Sequence, residues 1–80
     1  MNTDINHILV NGAQVAFSKL KRAQSFNERL CYYAGLGVYM AVSLSHGAGI
    51  SANTHEQIKT IYNEATRFHI SQSNRSRVFT

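Results

Sequence analysis

Apolar residues recur at spacings of three and four in three stretches of the chain, and each stretch predicts a helix. In the first, from about Thr3 to Ala23, the recurring positions are Ile5, Ile8, Leu9, Ala13, Ala16, Phe17 and Leu20. Asn2 or Thr3 can cap its start, and Asp4 suits the positive end of the helix dipole. Lys19, Lys21 and Arg22 crowd the last turns, where cations are favoured. A rival pattern lies inside this stretch. Asn11-Gly12 between ILV and AQVAF is a hairpin signal for Ile8 to Phe17, and a glycine costs a helix about 1 kcal/mol relative to alanine. The long 3.6-residue period decides for the helix.

The second stretch opens with Ser25-Phe26-Asn27-Glu28, a capping box in which Ser25 and Glu28 satisfy each other's backbone donors. It runs to about Ser45 and stops at His46-Gly47-Ala48-Gly49. Leu30, Ala34, Gly37, Val38 and Ala41 make a face of mostly small side chains, and Tyr33, Leu36, Met40 and Leu44 a bulkier one. A helix apolar on nearly every side is expected to be enclosed by neighbours, and in an 80-residue chain two other helices can cover part of it but not necessarily all. Its small face would allow close backbone approach, within the fold or in a dimer.

The third stretch begins at Asn53 or Thr54, with Glu56 or Gln57 completing the cap. Ile58, Ile61, Tyr62, Ala65 and Phe68 form its apolar stripe to about His69, opposite Lys59, Asn63, Glu64 and Arg67. Proline, which would interrupt a helix, is absent. The expected fold is all-α, a small three-helix bundle or extended helical hairpin, dimeric in one version. Residues 1–72 form its single domain, and residues 73–80 a flexible polar and basic tail.

Eighty residues suffice for one small core. The single cysteine, Cys31, excludes an intrachain disulfide and suits a reducing compartment, so a cytoplasmic location is expected. Extra stability then has to come from helix packing, self-association or a partner surface. The start, MNTDINHIL, does not read as a signal peptide. The uncharged stretch from Leu30 onward approaches the length of a membrane span, but its tyrosines, serines, histidine and glycines favour a buried central helix.

No catalytic set is visible. The acids are Asp4, Glu28, Glu56 and Glu64, three of them explained by helix starts, and no spacing suggests an acid–base pair. Cys31 reads as a small buried side chain. His7, His46, His55 and His69 include no i, i+4 pair, so neither a metal nor any other cofactor is expected. The glycines of HGAG neither follow a strand nor precede Lys-Ser/Thr, as a phosphate loop would.

Residues SHGAGISANTHEQIKTIY resemble the middle of a repressor-type helix-turn-helix. In that resemblance Ser45 is the small residue of the first helix, Gly49 makes the turn, and Ile50 and Ile58 pack inward. Ser51 to Thr54 would open the recognition helix. His55 departs from the pattern, which wants an apolar residue there. The resemblance implies a DNA-binding regulator with Ser51, Asn53, Thr54, Gln57 and Lys59 at the nucleic acid.

The stronger expectation is a non-enzymatic protein-binding module, an inhibitor or adaptor that binds a larger protein or nucleoprotein machine. An apolar centre with a charged rim is how interfaces are built, and tyrosine and arginine dominate their hot spots. Lys19, Lys21, Arg22, Arg29, Tyr32 and Tyr39 are the candidate contacts. The net charge of +4 favours a partner with an acidic or nucleic-acid-associated surface, with no membrane role. Size and composition are those of phage and mobile-element proteins that disable a host machine, anti-CRISPR proteins included.

Overall fold

The computed structural model describes residues 4–44 and 49–78, with side chains through residue 74 in the last helix. Three helices follow one another, α1 (Ile5–Arg22), α2 (Phe26–Ser43) and α3 (Ala52–Val78). Each packs against both others, which makes the fold an all-α three-helix bundle.

α1 passes through Asn11-Gly12 without a break, so the hairpin reading gives way. One face of this helix buries Leu9, Ala13 and Leu20 together, a set that the two-residue period of a strand would divide between faces. Ile5 and Ile8, expected on that face, are rotated off its centre and exposed.

The caps differ from expectation in detail. Asp4 is itself the cap of α1, its carboxylate accepting from Asn6 N–H at 3.0 Å. Asn2 and Thr3 lie outside the described residues. Ser25 Oγ accepts from Glu28 N–H at 3.1 Å, one half of the capping box. The Glu28 carboxylate closes the other half one residue early, on Gln24 N–H at 3.4 Å. α3 opens ahead of the expected Asn53, because Ser51 Oγ accepts from Thr54 N–H at 3.1 Å.

α3 then continues past His69 to Val78, through most of the segment read as a flexible tail. No glycine or proline interrupts that segment, and Ser73 Oγ donates back to His69 O at 2.9 Å. At 27 residues α3 is about 40 Å long, against about 27 Å for each 18-residue partner. The molecule is accordingly elongated, 50 × 21 × 14 Å. Among the described residues no helix is long and apolar enough to cross a membrane.

The core consists of Leu9, Ala13, Leu20, Leu36, Ile58 and Ala65. Ile61, Tyr62 and Phe68 pack against it, as the α3 stripe implies. α2 turns its bulkier face inward, with Leu36 fully buried and Tyr33 and Met40 against the core. A close-packed interior needs those volumes, which alanine and glycine cannot supply. Tyr33 stacks on Tyr62 at 5.1 Å and on His69 at 5.2 Å, and His69 meets Phe26 at 5.3 Å. Thr66 Oγ1 donates to Tyr62 O, so the Tyr33 hydroxyl, 2.7 Å away, donates to Thr66.

The neighbouring Tyr33 hydroxyl, and after it burial, hold the Tyr62 hydroxyl above the ordinary tyrosine value. The folded state therefore keeps this proton more tightly than the unfolded chain does. The resulting stabilisation is complete below about pH 10 and is lost as pH rises from there through the folded-state value. Thermal melts across that range should show a declining midpoint, and Tyr62→Phe should flatten the decline.

Candidate protein-docking site

α1 and α3 lie against one side of α2, and the opposite side is uncovered. The middle helix is thus covered in part and not all round, as a chain with only two other helices allows. Two neighbours cannot surround a third helix. On the outward face Leu30 is 46% exposed, Val38 62% and Leu44 58%, with Val42, Ala34 and Ala41 also exposed. Cys31 belongs to this surface too, contrary to the buried position expected of it. Leu44, grouped by sequence with the bulkier face, is exposed at the C-cap of α2.

Between Arg29 and Glu56 the sequence has no Lys, Arg, Asp or Glu, so this face carries no charge. The apolar surface continues on both flanks. Phe26 and Ile70 are exposed toward α3. On α1, Ile8 and Val15 are exposed about one turn to either side of Gly12, and Gly12 faces the Tyr39 ring.

Of the residues proposed as partner contacts, Lys19, Arg22 and Tyr32 meet at one groove, and Lys21, Arg29 and Tyr39 do not line it. Tyr32 and Tyr39 are half-buried and pack against the core. Arg29 is 7% exposed, because it lies seven residues before Leu36 on the inward face. Its aliphatic stem is packed as an apolar side chain would be, and its Nε has no partner among the described residues. Lys19, Lys21 and Arg22 are exposed at the far end of α1. Lys21 Nζ sits 4.5 Å from the Phe17 ring centroid, and Lys19 and Arg22 border a shallow groove with Glu28 and Tyr32.

At the other end of the bundle, the residues of the helix-turn-helix resemblance are tied to α1. Asn6 makes four side-chain hydrogen bonds there. Its Oδ1 accepts from Ser51 N–H and Thr54 Oγ1, both at 2.7 Å. Its Nδ2 donates to Asp4 Oδ1 and Gly49 O, both at 3.1 Å. Thr54, expected at the nucleic acid, is buried by this latch. With its proton on Asn6, Thr54 Oγ1 accepts from Ser51 Oγ at 2.9 Å. Asn53 and Gln57 remain exposed and line a polar cleft with Asp4 and His7, and Lys59 is exposed beyond it. Gly49, with φ of +77°, adopts the left-handed backbone that the turn reading asks of it, whereas Ser45 lies outside the described residues.

The sequence reading did not single out Asn6. Its signal is a residue of low helix propensity in the first turn of a helix, next to the capping acid. His55 also finds a use in the structure. Ser43 Oγ donates to Met40 O at 2.6 Å, so at 2.8 Å it takes a proton from His55 Nδ1. A polar pair thus fills the place where the helix-turn-helix pattern wants an apolar contact.

Among the described residues no group of three or more His, Cys, Asp or Glu is placed to hold a metal ion. Compared with known proteins, the chain matches no family model, no curated protein and no solved structure.

Proposed function

We propose that this protein is a non-enzymatic binding module, an inhibitor or adaptor, that docks a helix of a protein partner on the outward face of α2. The observation that carries the reading is that face itself: contiguous, apolar, uncharged and uncovered. Monomeric proteins seldom leave more than a few hundred Å² of contiguous apolar surface in water, and larger patches mark interaction sites. A run of small and branched side chains along one helix is what another helix packs against. Lys19 and Arg22, which share a groove with Val15, lie at the rim and would steer a partner rather than anchor it.

The DNA-binding reading has less support. Thr54 is engaged with Asn6, and the Asp4 carboxylate lines the same cleft as Asn53 and Gln57, a poor neighbour for phosphate. The test is recovery of tagged protein with its partners, with and without nuclease. A protein partner should survive nuclease, be lost on Val38→Glu and be retained on Gln57→Ala with Lys59→Ala. Duplex binding that falls steeply with salt and disappears with the Gln57 and Lys59 changes would instead make the protein a DNA-binding regulator.

A further inference from the structure

Resting on that reading of the face, we infer that the helix docked on α2 is α2 of a second copy of this chain, antiparallel about a two-fold axis.

Self-complementarity is the first argument. A two-fold interface sets the same patch against itself, so any charge on it meets its own like charge or must find an opposite one within the patch. From Leu30 to Leu44 the outward face has neither sign, and the cations Lys19, Lys21, Arg22, Lys59 and Arg67 lie on the other two helices. The spacing is the second. Asn27, Cys31, Ala34, Val38 and Ala41 alternate by four and three, the seam of a left-handed helix pair. An axis level with Leu36 sets Ala34 against Val38 of the second copy and Leu30 against its Val42. Cys31 then faces its Ala41. At the centre Ala34 thus meets a larger Val38, whereas parallel alignment would set Ala34 against Ala34.

Area is the third argument. Phe26, Leu30, Val38, Val42 and Leu44, each between 38% and 62% exposed, form with the small residues between them most of a helix-length apolar surface. Ile8 and Val15, also exposed, extend it on the α1 flank toward the roughly 800 Å² per partner that a standard interface buries. The core adds a need for it. Among the described residues the large side chains fully buried are Leu20, Leu36 and Ile58, few for a chain without a disulfide.

Sedimentation of the full chain over a range of concentrations, at low and high salt, is the experiment. A reversible dimer is expected, strengthened or unchanged by salt because each copy carries a net +4. Val38→Glu should weaken it roughly a hundredfold, because a desolvated carboxylate would have no partner. The helical circular dichroism of that variant should be kept, since Val38 touches solvent. A second variant reads the geometry without threatening the fold. In Ala41→Cys, mild oxidation should link Cys31 to the new thiol of the other copy. The wild-type Cys31 pair, ten residues of helix or about 15 Å apart, should stay unlinked.

A monomer up to millimolar concentration, or rapid Cys31–Cys31 linkage in the wild type, would overturn the inference. If that monomer still loses a different protein on Val38→Glu, the docking reading stands and the second copy falls. If it loses none, both fall.

Discussion

Replacing Asn6 with alanine should lower the thermal midpoint by about 10–20 °C while leaving the helical content of the folded protein nearly unchanged. The side chain joins the cap of α1 through Asp4, the segment entering α3 through Gly49, and the cap of α3 through Ser51 and Thr54. A net hydrogen bond contributes about 1 kcal/mol, less where water can replace the partner. Thr54 lies beyond ready replacement, being buried. The sum is about 2–3 kcal/mol, and a domain of this size moves about 4–8 °C per kcal/mol. Asn6→Asp keeps the acceptor for Ser51 and Thr54 but loses both donated bonds and places a carboxylate against Asp4. It should be at least as damaging at neutral pH and partly recover in acid, where protonation removes the repulsion. Melts of both variants across pH 3 to 7 separate the two contributions. Equal midpoints for wild type and Asn6→Ala would remove the latch from any account of how the bundle closes.

That latch shows where sequence reasoning stops. Helix periodicity identified three elements and most of their inward residues, because a helix face repeats at fixed spacing whatever it packs against. The α3 stripe from Ile58 to Phe68 is the clearest case. Which of two apolar faces turns inward on α2 is not a local property. It depends on the volume left between α1 and α3, which Leu36, Tyr33 and Met40 fill and Ala34 and Ala41 would not. How much of α2 its two neighbours leave uncovered is likewise not a local property. Periodicity says that a helix is apolar all round, but not how many neighbours it has. Cys31, read as buried, is exposed because it lies on the side that has no neighbour.

The site was legible in part. The small face of α2 was recognised as a surface for close approach, and the structure leaves that face open. The tyrosines were misplaced, because Tyr32 and Tyr39 sit on the flank that α1 partly covers, and sequence gives no measure of how far a neighbour reaches. Arg29 was misplaced because a long cation near a helix start reads as rim, whereas position Arg29 repeats position Leu36 two turns on. Asn6 bonds to residues more than forty positions away, and no local pattern contains such contacts. The capping residues lie between these cases. Ser25 was legible from its own neighbours, whereas the cap of α3 moved to Ser51, whose N–H and whose bonded partner Thr54 both contact Asn6.

Gly12→Ala should destabilise the protein in one background and stabilise it in another. In an ordinary helix interior alanine is better than glycine by about 1 kcal/mol. Here a Cβ would lie 2.5 Å from Tyr39 Oη, 2.7 Å from Cζ and 2.8 Å from Cε1, too close for any of them to stay. The ring is rigid, and to move it must swing outward and surrender packing against the core, for a loss of about 2–3 kcal/mol. With the wild-type tyrosine, Gly12→Ala should therefore cost about 1–2 kcal/mol, the lost packing less the helix gain. In a Tyr39→Ala background the obstacle is gone, and the same change should add up to about 1 kcal/mol. The coupling between the sites is then about 2 kcal/mol or more, well above the scatter of independent substitutions. A hairpin turn at Asn11-Gly12 predicts otherwise: a positive-φ glycine resists alanine whatever stands at position 39. The sign of the change in the second background, read from denaturant melts of the four proteins, thus tests both the helix and the contact that lets α2 approach it.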